Sequence, residues 1–336
     1  MDPFDTLLRD VRAEGAAFGR SVLSPSWALR FTDGAPLTLC VPLRGEAWIV
    51  HPERDEPVLV RVGEAVVVRG PQPFVLSAEP RSTFRPDELR DVDCRQSPGI
   101  RTPDPDPDPD EQMLLLAGAY HVQGQAPHRL LGVLPPVLVV PDDHDCSSLR
   151  DYLDFQLGGC RPGRQVVLDR LLDWLLVCTI RDWFDQPGAE APRWYRALGD
   201  DTVGPVLRAM HDAPGAPWTL ASLAARAGVS RTTLAKRFTE LMGEPPLTYL
   251  TDWRMTLAAD MLTGTTATVA AMARQLGYSD AFGFSTAFKR VHGVSPREHR
   301  RLAQSGSQVA VTIRSTSSGT HSTYSTSAPP ACRTYR

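Results

Sequence analysis

Two textures of apolar residues divide the chain. Over the first 140 residues the apolar runs are short and alternating: WALRF, LTLCVPLRG, EAWIVH, PVLVRV, AVVV, PFVL, MLLLAGAY and PPVLVV. Asp33-Gly34, Arg44-Gly45, Val62-Gly63 and Gly70-Pro71 punctuate them. Short strands separated by turn residues predict a β-sandwich or small barrel from Ser21 to about Val140. Ahead of it, Phe4, Leu7, Leu8 and Val11 stand at helical spacing and predict a short amphipathic helix within residues 1–20. Beyond Pro141 the period lengthens to that of helices, over residues 147–157 and again over 164–184. The second of these carries Val167, Leu168, Leu171, Leu172, Trp174, Leu175, Leu176, Cys178 and Trp183, an apolar arc wider than one contact needs. One side is expected to cover the barrel and the other, through Leu168, Leu171, Leu172 and Leu175, to meet a second subunit.

From Trp218 to Arg301 one pattern appears twice. ASLAARAGVSRTTLAKRFTELMGEPP and AAMARQLGYSDAFGFSTAFKRVHGVSP each read as a short helix, a glycine turn and a longer helix closed by another glycine. Gly228 and Gly277 mark the turns, Phe238 and Phe288 the second helices, Gly243 and Gly293 their ends, and Pro246 and Pro296 the next starts. Two tandem helix-turn-helix units follow from this spacing. In the first, Leu220, Leu223, Ala224 and Ala227 are expected to pack on Leu234, Phe238 and Leu241, with Ser230 as N-cap. In the second, Val269, Met272, Ala273 and Leu276 are expected to pack on Phe284, Phe288 and Val291, with Ser279 or Asp280 as cap. The outward faces are then Arg231, Thr232, Ala235, Lys236 and Thr239, and Ala281, Phe282, Ser285, Thr286 and Lys289. PLTYLTDWRMTLAADML should join the halves, amphipathic through Leu247, Leu250, Trp253, Leu257 and Met261, and a closing helix should start at Ser295-Pro296.

Charge sharpens this picture. Net charge is −3, yet residues 200–304 hold 12 Lys+Arg against 9 Asp+Glu, a local excess of +3. Both lysines, Lys236 and Lys289, lie on the second helices of the repeats, a bias that suits phosphate contact. Residues 186–199, with the Pro187-Gly188 turn, read as a linker, and the Ser/Thr-rich residues 305–336 as a disordered tail. The Pro-Asp repeat at 102–112 reads as a solvated loop. The domain reading is therefore 1–185, linker 186–199, 200–304 and tail 305–336. No apolar run nears the roughly 20 residues that span a bilayer, so a cytoplasmic protein without membrane partners is expected. Cys40, Cys94, Cys146, Cys160, Cys178 and Cys332 are scattered without CxxC spacing, as suits a reducing compartment.

PLRGEAWIVHPERDEPVLVRVGEAVVVRGPQPFVL, with its Arg44-Gly45-Glu46 and Val62-Gly63-Glu64 turns, resembles the cupin-like sensor module that precedes AraC-type regulators. Residues 200–303, down to GYSDAFGFSTAFKRVHGVSPREHRR, resemble the C-terminal domain of the AraC/XylS family of transcription regulators. The resemblance implies a multidomain α+β protein: an N-terminal cupin-like β-barrel with a helical dimerisation segment, then an all-α domain with two helix-turn-helix motifs. It also implies promoter DNA and RNA polymerase as partners, a homodimer, an unidentified small-molecule effector, and activation as the commoner habit. Carried over by position, base contacts fall to Thr232, Ala235 and Lys236 in the first half and to Ala281, Phe282, Ser285 and Thr286 in the second. Thr286 stands where many members have arginine. Arg231, Arg237, Lys289 and Arg290 are expected to hold phosphates.

Catalytic and metal chemistry find little footing. Metal-binding cupins offer an HxH pair with further His and Glu ligands, whereas here His51 stands alone before Pro52-Glu53. His121 and His128 flank a turn, and His144 among Asp142, Asp143 and Asp145, with Cys146 and Cys160, reads more plainly as a polar loop than as a zinc site. No cofactor and no metal is expected, and the chain is not expected to be an enzyme. Two alternatives stay open: a metal-free cupin enzyme fused to a DNA-binding domain, with His51 and Glu46 as acid and base, and a thiol-based redox regulator, with Cys94 its best candidate.

Overall fold

The structure is a computed structural model and describes residues 2–21, 27–81, 84–85, 89–94, 113–122, 124–141, 152 and 162–305. The Pro-Asp repeat, the helix expected over 147–157 apart from Tyr152, the His144 loop with Cys146 and Cys160, and the tail with Cys332 lie outside the described residues. Two compact units emerge, one from Phe4–Gln123 with Pro127–Arg196 and one from Ala197 onward.

The first unit contains ten described strands in two five-stranded sheets. They are β1 (Val11–Ser21), β2 (Ala28–Phe31), β3 (Leu37–Arg44), β4 (Ala47–Val50), β5 (Val58–Val60), β6 (Glu64–Arg69), β7 (Phe74–Ser77), β8 (Leu89–Val92), β9 (Met113–Val122) and β10 (Val137–Pro141). Their orders are β1-β9-β3-β6-β10 and β5-β4-β7-β2-β8. Among the described strands neither sheet closes on itself, so the architecture is two stacked sheets where the sequence suggested a barrel. Side chains of period two from both sheets meet between them: Cys40, Val66, Val68, Leu115, Ala117 and Ala119 from one, and Leu29, Phe31, Ile49, Phe74 and Leu76 from the other. Phe31 and Phe74 stack at 4.6 Å.

β9 is buried at nine of its ten positions, on both of its faces. The reason is the long helix: α1 (Pro3–Leu8) and α2 (Gln125–Leu131) are short, but α3 (Arg164–Asp185) lies on the outer side of this sheet against β1, β6 and β10. A Cβ on Gly118 would come within 2.7 Å of Leu172 Cδ1, and Tyr120 Oη donates to the Leu172 carbonyl at 2.7 Å. Leu168, Leu172 and Leu175 are therefore buried in their own unit, at 3% exposure or less, and only Leu171 of the expected subunit contact is partly open. That contact is corrected accordingly: the leucines cover a sheet, and the apolar side chains α3 exposes are Val166, Val167 and Trp174. Burying each leucine stabilises the unit by roughly 2 kcal/mol.

Residues 1–20 also differ from expectation. The helix ends at Leu8, and Val11 begins an eleven-residue strand paired along β9 with a bulge between Ala13 and Ala16. VRAEGAAFGRS has little strand propensity of its own; pairing with the largely apolar β9 decides its conformation. After α3, the linker is only in part irregular, because Arg193–Leu198 forms α4. Its Trp194 and Tyr195 pack with Phe4 and Phe184, and Tyr195 Oη donates to Asp185 at 3.0 Å.

The second unit is all helix: α5 (Val203–Asp212), α6 (Leu220–Arg226), α7 (Arg231–Met242), α8 (Pro246–Gly264), α9 (Val269–Gln275), α10 (Ala281–His292) and α11, described over residues 296–305. The two repeats agree down to their hydrogen bonds. Thr219 and Thr268 cap α6 and α9, and Ser230 and Asp280 cap α7 and α10. In the turns Val229 N–H donates to Ala224 and Tyr278 N–H to Ala273, at 3.0 and 2.8 Å. The first repeat buries Leu223, Ala224, Leu234, Phe238 and Met242, and the second Met272, Ala273, Leu276, Phe284 and Phe288.

Several expected core positions sit differently. Met242 takes the place given to Leu241, which with Leu220, Ala227 and Val269 is only partly covered, and Val291 is exposed. Leu247 is exposed as well, since α8 uses more than one face. Tyr249 and Trp253 meet Phe238 and His211 of the first half, while Met255, Ala258, Ala259 and Leu262 enter the core of the second. A helix shared between two cores shows no single apolar stripe.

Candidate nucleic-acid interface

Positions i, i+1, i+4, i+5 and i+8 of a helix share one face. On α7 these are Arg231, Thr232, Ala235, Lys236 and Thr239; aligned on Phe238 and Phe288, their counterparts on α10 are Ala281, Phe282, Ser285, Thr286 and Lys289. Within this unit the face stays open on both helices. Arg231, Thr232, Lys236, Thr239, Phe282, Thr286, Lys289 and Arg290 are exposed, and Ala235, Ala281 and Ser285 are half-buried at the base of each stripe. Phe282 is 83% exposed, the most open of the large apolar side chains among the described residues.

The two faces are chemically unlike. The neutral Ser230 hydroxyl caps α7 by accepting from Thr233 N at 3.1 Å, and Arg231 follows it directly. A carboxylate caps α10: Asp280 Oδ1 accepts from Phe282 N at 2.9 Å and from Gly283 N at 2.8 Å, and Oδ2 accepts from Ser279 Oγ. The Gly283 N–H, with Ser279 and the Phe282 N–H, holds the Asp280 carboxyl below its ordinary range. Ser285 donates its hydroxyl proton to the Ala281 carbonyl at 2.7 Å, within its own helix.

Arg237 stands apart from the other cations. Its Nε and Nη2 both donate to Asp200 Oδ2, at 2.9 and 2.7 Å, and Asp200 Oδ1 accepts from Thr202 N and Val203 N at the start of α5. Burial works to raise the Asp200 pKa, but the Val203 N–H, Arg237 and the Thr202 N–H together hold it below the usual value. The pair joins α7 to the start of α5.

A second set of arginines reaches back over each repeat. Arg254 on α8 donates to the carbonyls of Pro214 and Ala216, both at 2.7 Å, and its guanidinium lies 5.9 Å from the Tyr278 ring centre. Arg300 on α11 donates to the carbonyls of Leu262 and Ala267. Each arginine thus closes the loop that precedes a helix-turn-helix from the helix that follows it. The loop held by Arg254 also presses on the other repeat: a Cβ on Gly215 would lie 2.2 Å from the Gln275 carbonyl oxygen, and one on Gly277 2.5 Å from that of Gly215. These contacts join the loop ahead of the first repeat to the turn of the second. The arginines and Thr219 were not singled out in the sequence, where only their offset from Pro246 and Pro296, one helical turn different, marks them.

Comparison with known proteins agrees with this architecture. A cupin family model matches residues 2–185, more than half of the chain, and a helix-turn-helix domain model matches residues 223–302. An AraC-like transcription regulator of Streptomyces lividans is 30% identical over 305 residues, 90% of this chain and 98% of that protein. The chain belongs to the AraC family of transcription regulators. Another AraC-like regulator, from Streptomyces antibioticus, is 29% identical over 90% of this chain and 99% of its own length. Among solved structures, the DNA-binding domain of AdpA in complex with a target DNA is 28% identical over 32% of this chain and 96% of that one, with a TM-score of 0.30. The AraC-type helix-turn-helix domain makes this regulator a DNA-binding protein, and no described helix is long and apolar enough to cross a membrane.

In the cupin unit of this AraC-family regulator, His51 is buried and fully engaged. Nδ1 accepts from Glu53 N at 3.2 Å, which places the ring proton on Nε2, where it donates to the Arg69 carbonyl at 3.2 Å. Burial lowers its pKa. Glu46 is exposed, 4.0 Å from Arg61. Among the described residues no group of three or more His, Cys, Asp or Glu side chains is arranged to hold a metal. Cys94, the expected redox candidate, is buried at 2% exposure in the core between the sheets; burial pushes its thiol pKa well up, and that of Cys40 up to about 12. A thiol so shielded forms little of the reactive thiolate. A cavity of about 540 Å³ lies beside the linker, walled by Val133, Leu134, Pro135, Trp183, Gln186 and Glu190.

Proposed function

We propose that this AraC-family regulator binds promoter DNA with both reading helices at once, α7 and α10 entering successive major-groove segments on one side of the duplex. The observation that carries this reading is the pair of open faces at matching positions of α7 and α10, in repeats that meet where the Gly215 loop presses on the Gly277 turn. α8, with 19 residues, is about 28 Å long, which suits reading helices about one DNA turn apart. Thr232, Ala235, Lys236, Ala281, Phe282, Ser285 and Thr286 face the bases, and Arg231, Lys289 and Arg290 hold phosphates. The cupin unit receives a small-molecule effector, for which the cavity beside the linker offers a place next to the chain that leads to the DNA-binding unit. Assembly as a homodimer, through Val166, Val167 and Trp174 rather than the buried leucines, and recruitment of RNA polymerase complete the proposal.

The regulator acts in the cytoplasm and is not an enzyme. His51 supports the latter point, since its two ring nitrogens serve the backbone while Glu46 is exposed beside Arg61.

A mobility-shift assay against the region upstream of the chain's own gene, repeated over a range of salt, tests the function. A complex that survives excess unrelated duplex is expected. Binding indifferent to sequence under all conditions contradicts it.

The salt slope also separates the arginines. Each phosphate contact contributes about 0.9 to the slope of log affinity against log salt. Arg231→Gln is therefore expected to reduce the slope by about 0.9. Arg237→Gln should leave it unchanged and instead lower stability by roughly 1 kcal/mol, because its charge already serves Asp200. An equal fall in slope for both variants would return Arg237 to the phosphate set.

A further inference from the structure

The two reading helices differ most at the position where α7 carries Thr232 and α10 carries Phe282. We propose that the second helix-turn-helix recognises its DNA segment by apolar contact, with the Phe282 ring seated on the 5-methyl group of a thymine in the major groove. The inference rests on the DNA-binding reading above and adds the chemistry that α10 reads.

Three observations point the same way. Phe282 is 83% exposed in the first turn of α10, and it is the largest side chain on that stripe. Beside it Ala281 has only a methyl and Ser285 gives its proton to Ala281 O, so the hydrogen-bonding side chains of the stripe, Thr286 and Lys289, lie one and two turns further along the helix. The start of the helix is closed to phosphate, because the Asp280 carboxylate already accepts the Phe282 and Gly283 N–H groups and carries a negative charge. On α7 the corresponding turn holds a neutral cap and Arg231, which suits the DNA backbone. In the major groove the thymine methyl is the apolar feature that a phenyl ring can cover, and cytosine, adenine and guanine lack it. Discrimination at the first turn of α10 thus follows the methyl, while the matching turn of α7 offers the Thr232 hydroxyl.

The test replaces single thymines by deoxyuridine, which pairs identically but lacks the methyl. A duplex is first selected from a random pool with the full chain, and each thymine is then exchanged in turn. At one or two positions in one half of the site, exchange is expected to weaken binding by about fourfold, the effect of one buried methyl-sized group. With Phe282→Ala the same exchanges should cost nothing, and with Phe282→Leu part of the effect should return. Because the side chain is exposed, both variants fold, which a melting curve verifies. Methyl loss that weakens the wild type and Phe282→Ala equally, or that has no effect at any position, overturns the inference while leaving the DNA-binding function intact. Failure to select any preferred sequence overturns both.

Discussion

Gly277→Ala is expected to destabilise the helical unit by about 3 kcal/mol, whereas Gly228→Ala, the same substitution at the matching turn, costs about 1 kcal/mol. Both glycines have left-handed backbone, with φ of +80° and +68°, so each alanine meets the conformational cost of that region. The surroundings separate them. A Cβ at Gly228 meets no atom within 4 Å. At Gly277 it would lie 2.5 Å from the Gly215 carbonyl oxygen and 2.9 Å from Arg254 Nη2, so the backbone of the preceding loop must move. Urea unfolding of the full chain, followed by helical circular dichroism, measures both. Equal midpoints would show that the loop and the second turn do not press on each other. Because that contact joins the repeats, DNA affinity should also fall for Gly277→Ala and change little for Gly228→Ala.

Arg254→Met is expected to cost about 3 kcal/mol, since it leaves the Pro214 and Ala216 carbonyls without the charged donor that serves both. Lysine at this position recovers only part of the loss, because an ammonium cannot reproduce the planar fork that reaches two carbonyls. Arg254 also supplies one of the two atoms that an alanine at Gly277 would strike. The double variant should therefore be less destabilised than the sum of the single ones, by roughly 0.5 kcal/mol or more. Strict additivity would mean that the arginine and the turn act independently.

What the sequence showed and what it hid divide along a physical line. Features set by a few neighbouring residues were legible: Ser230 as one cap and the Ser279-Asp280 pair as the place of the other, the turns at Gly228 and Gly277, and the short apolar runs that make β3, β4, β6 and β7. Features set by distant partners were not. The leucines of α3 form the same apolar arc whether they cover a second subunit or the back of a sheet; only β9, apolar on both faces, decides for the sheet. Strand β1 is held by that same β9 and could not be read from VRAEGAAFGRS. Cys94 sits in a polar stretch of sequence but closes the core between the sheets. At the candidate interface the exposed positions Thr232, Lys236, Phe282 and Thr286 lie on the faces the repeat indicated, with Ala235, Ala281 and Ser285 half-buried beside them. It did not show that Arg237 is held by Asp200, 37 residues earlier in the chain, or that Arg254 reaches back to the loop at Pro214.

The claim that α7 and α10 read successive groove segments as one rigid body is tested most directly by spacing. Footprinting on the selected duplex should show two contacted segments about 10 base pairs apart on one side of the helix. Inserting five base pairs between them turns the second segment to the opposite side, and affinity is predicted to fall by at least about tenfold, since the contacts of one half are lost. A duplex with the insertion that binds as tightly as the original would contradict the account.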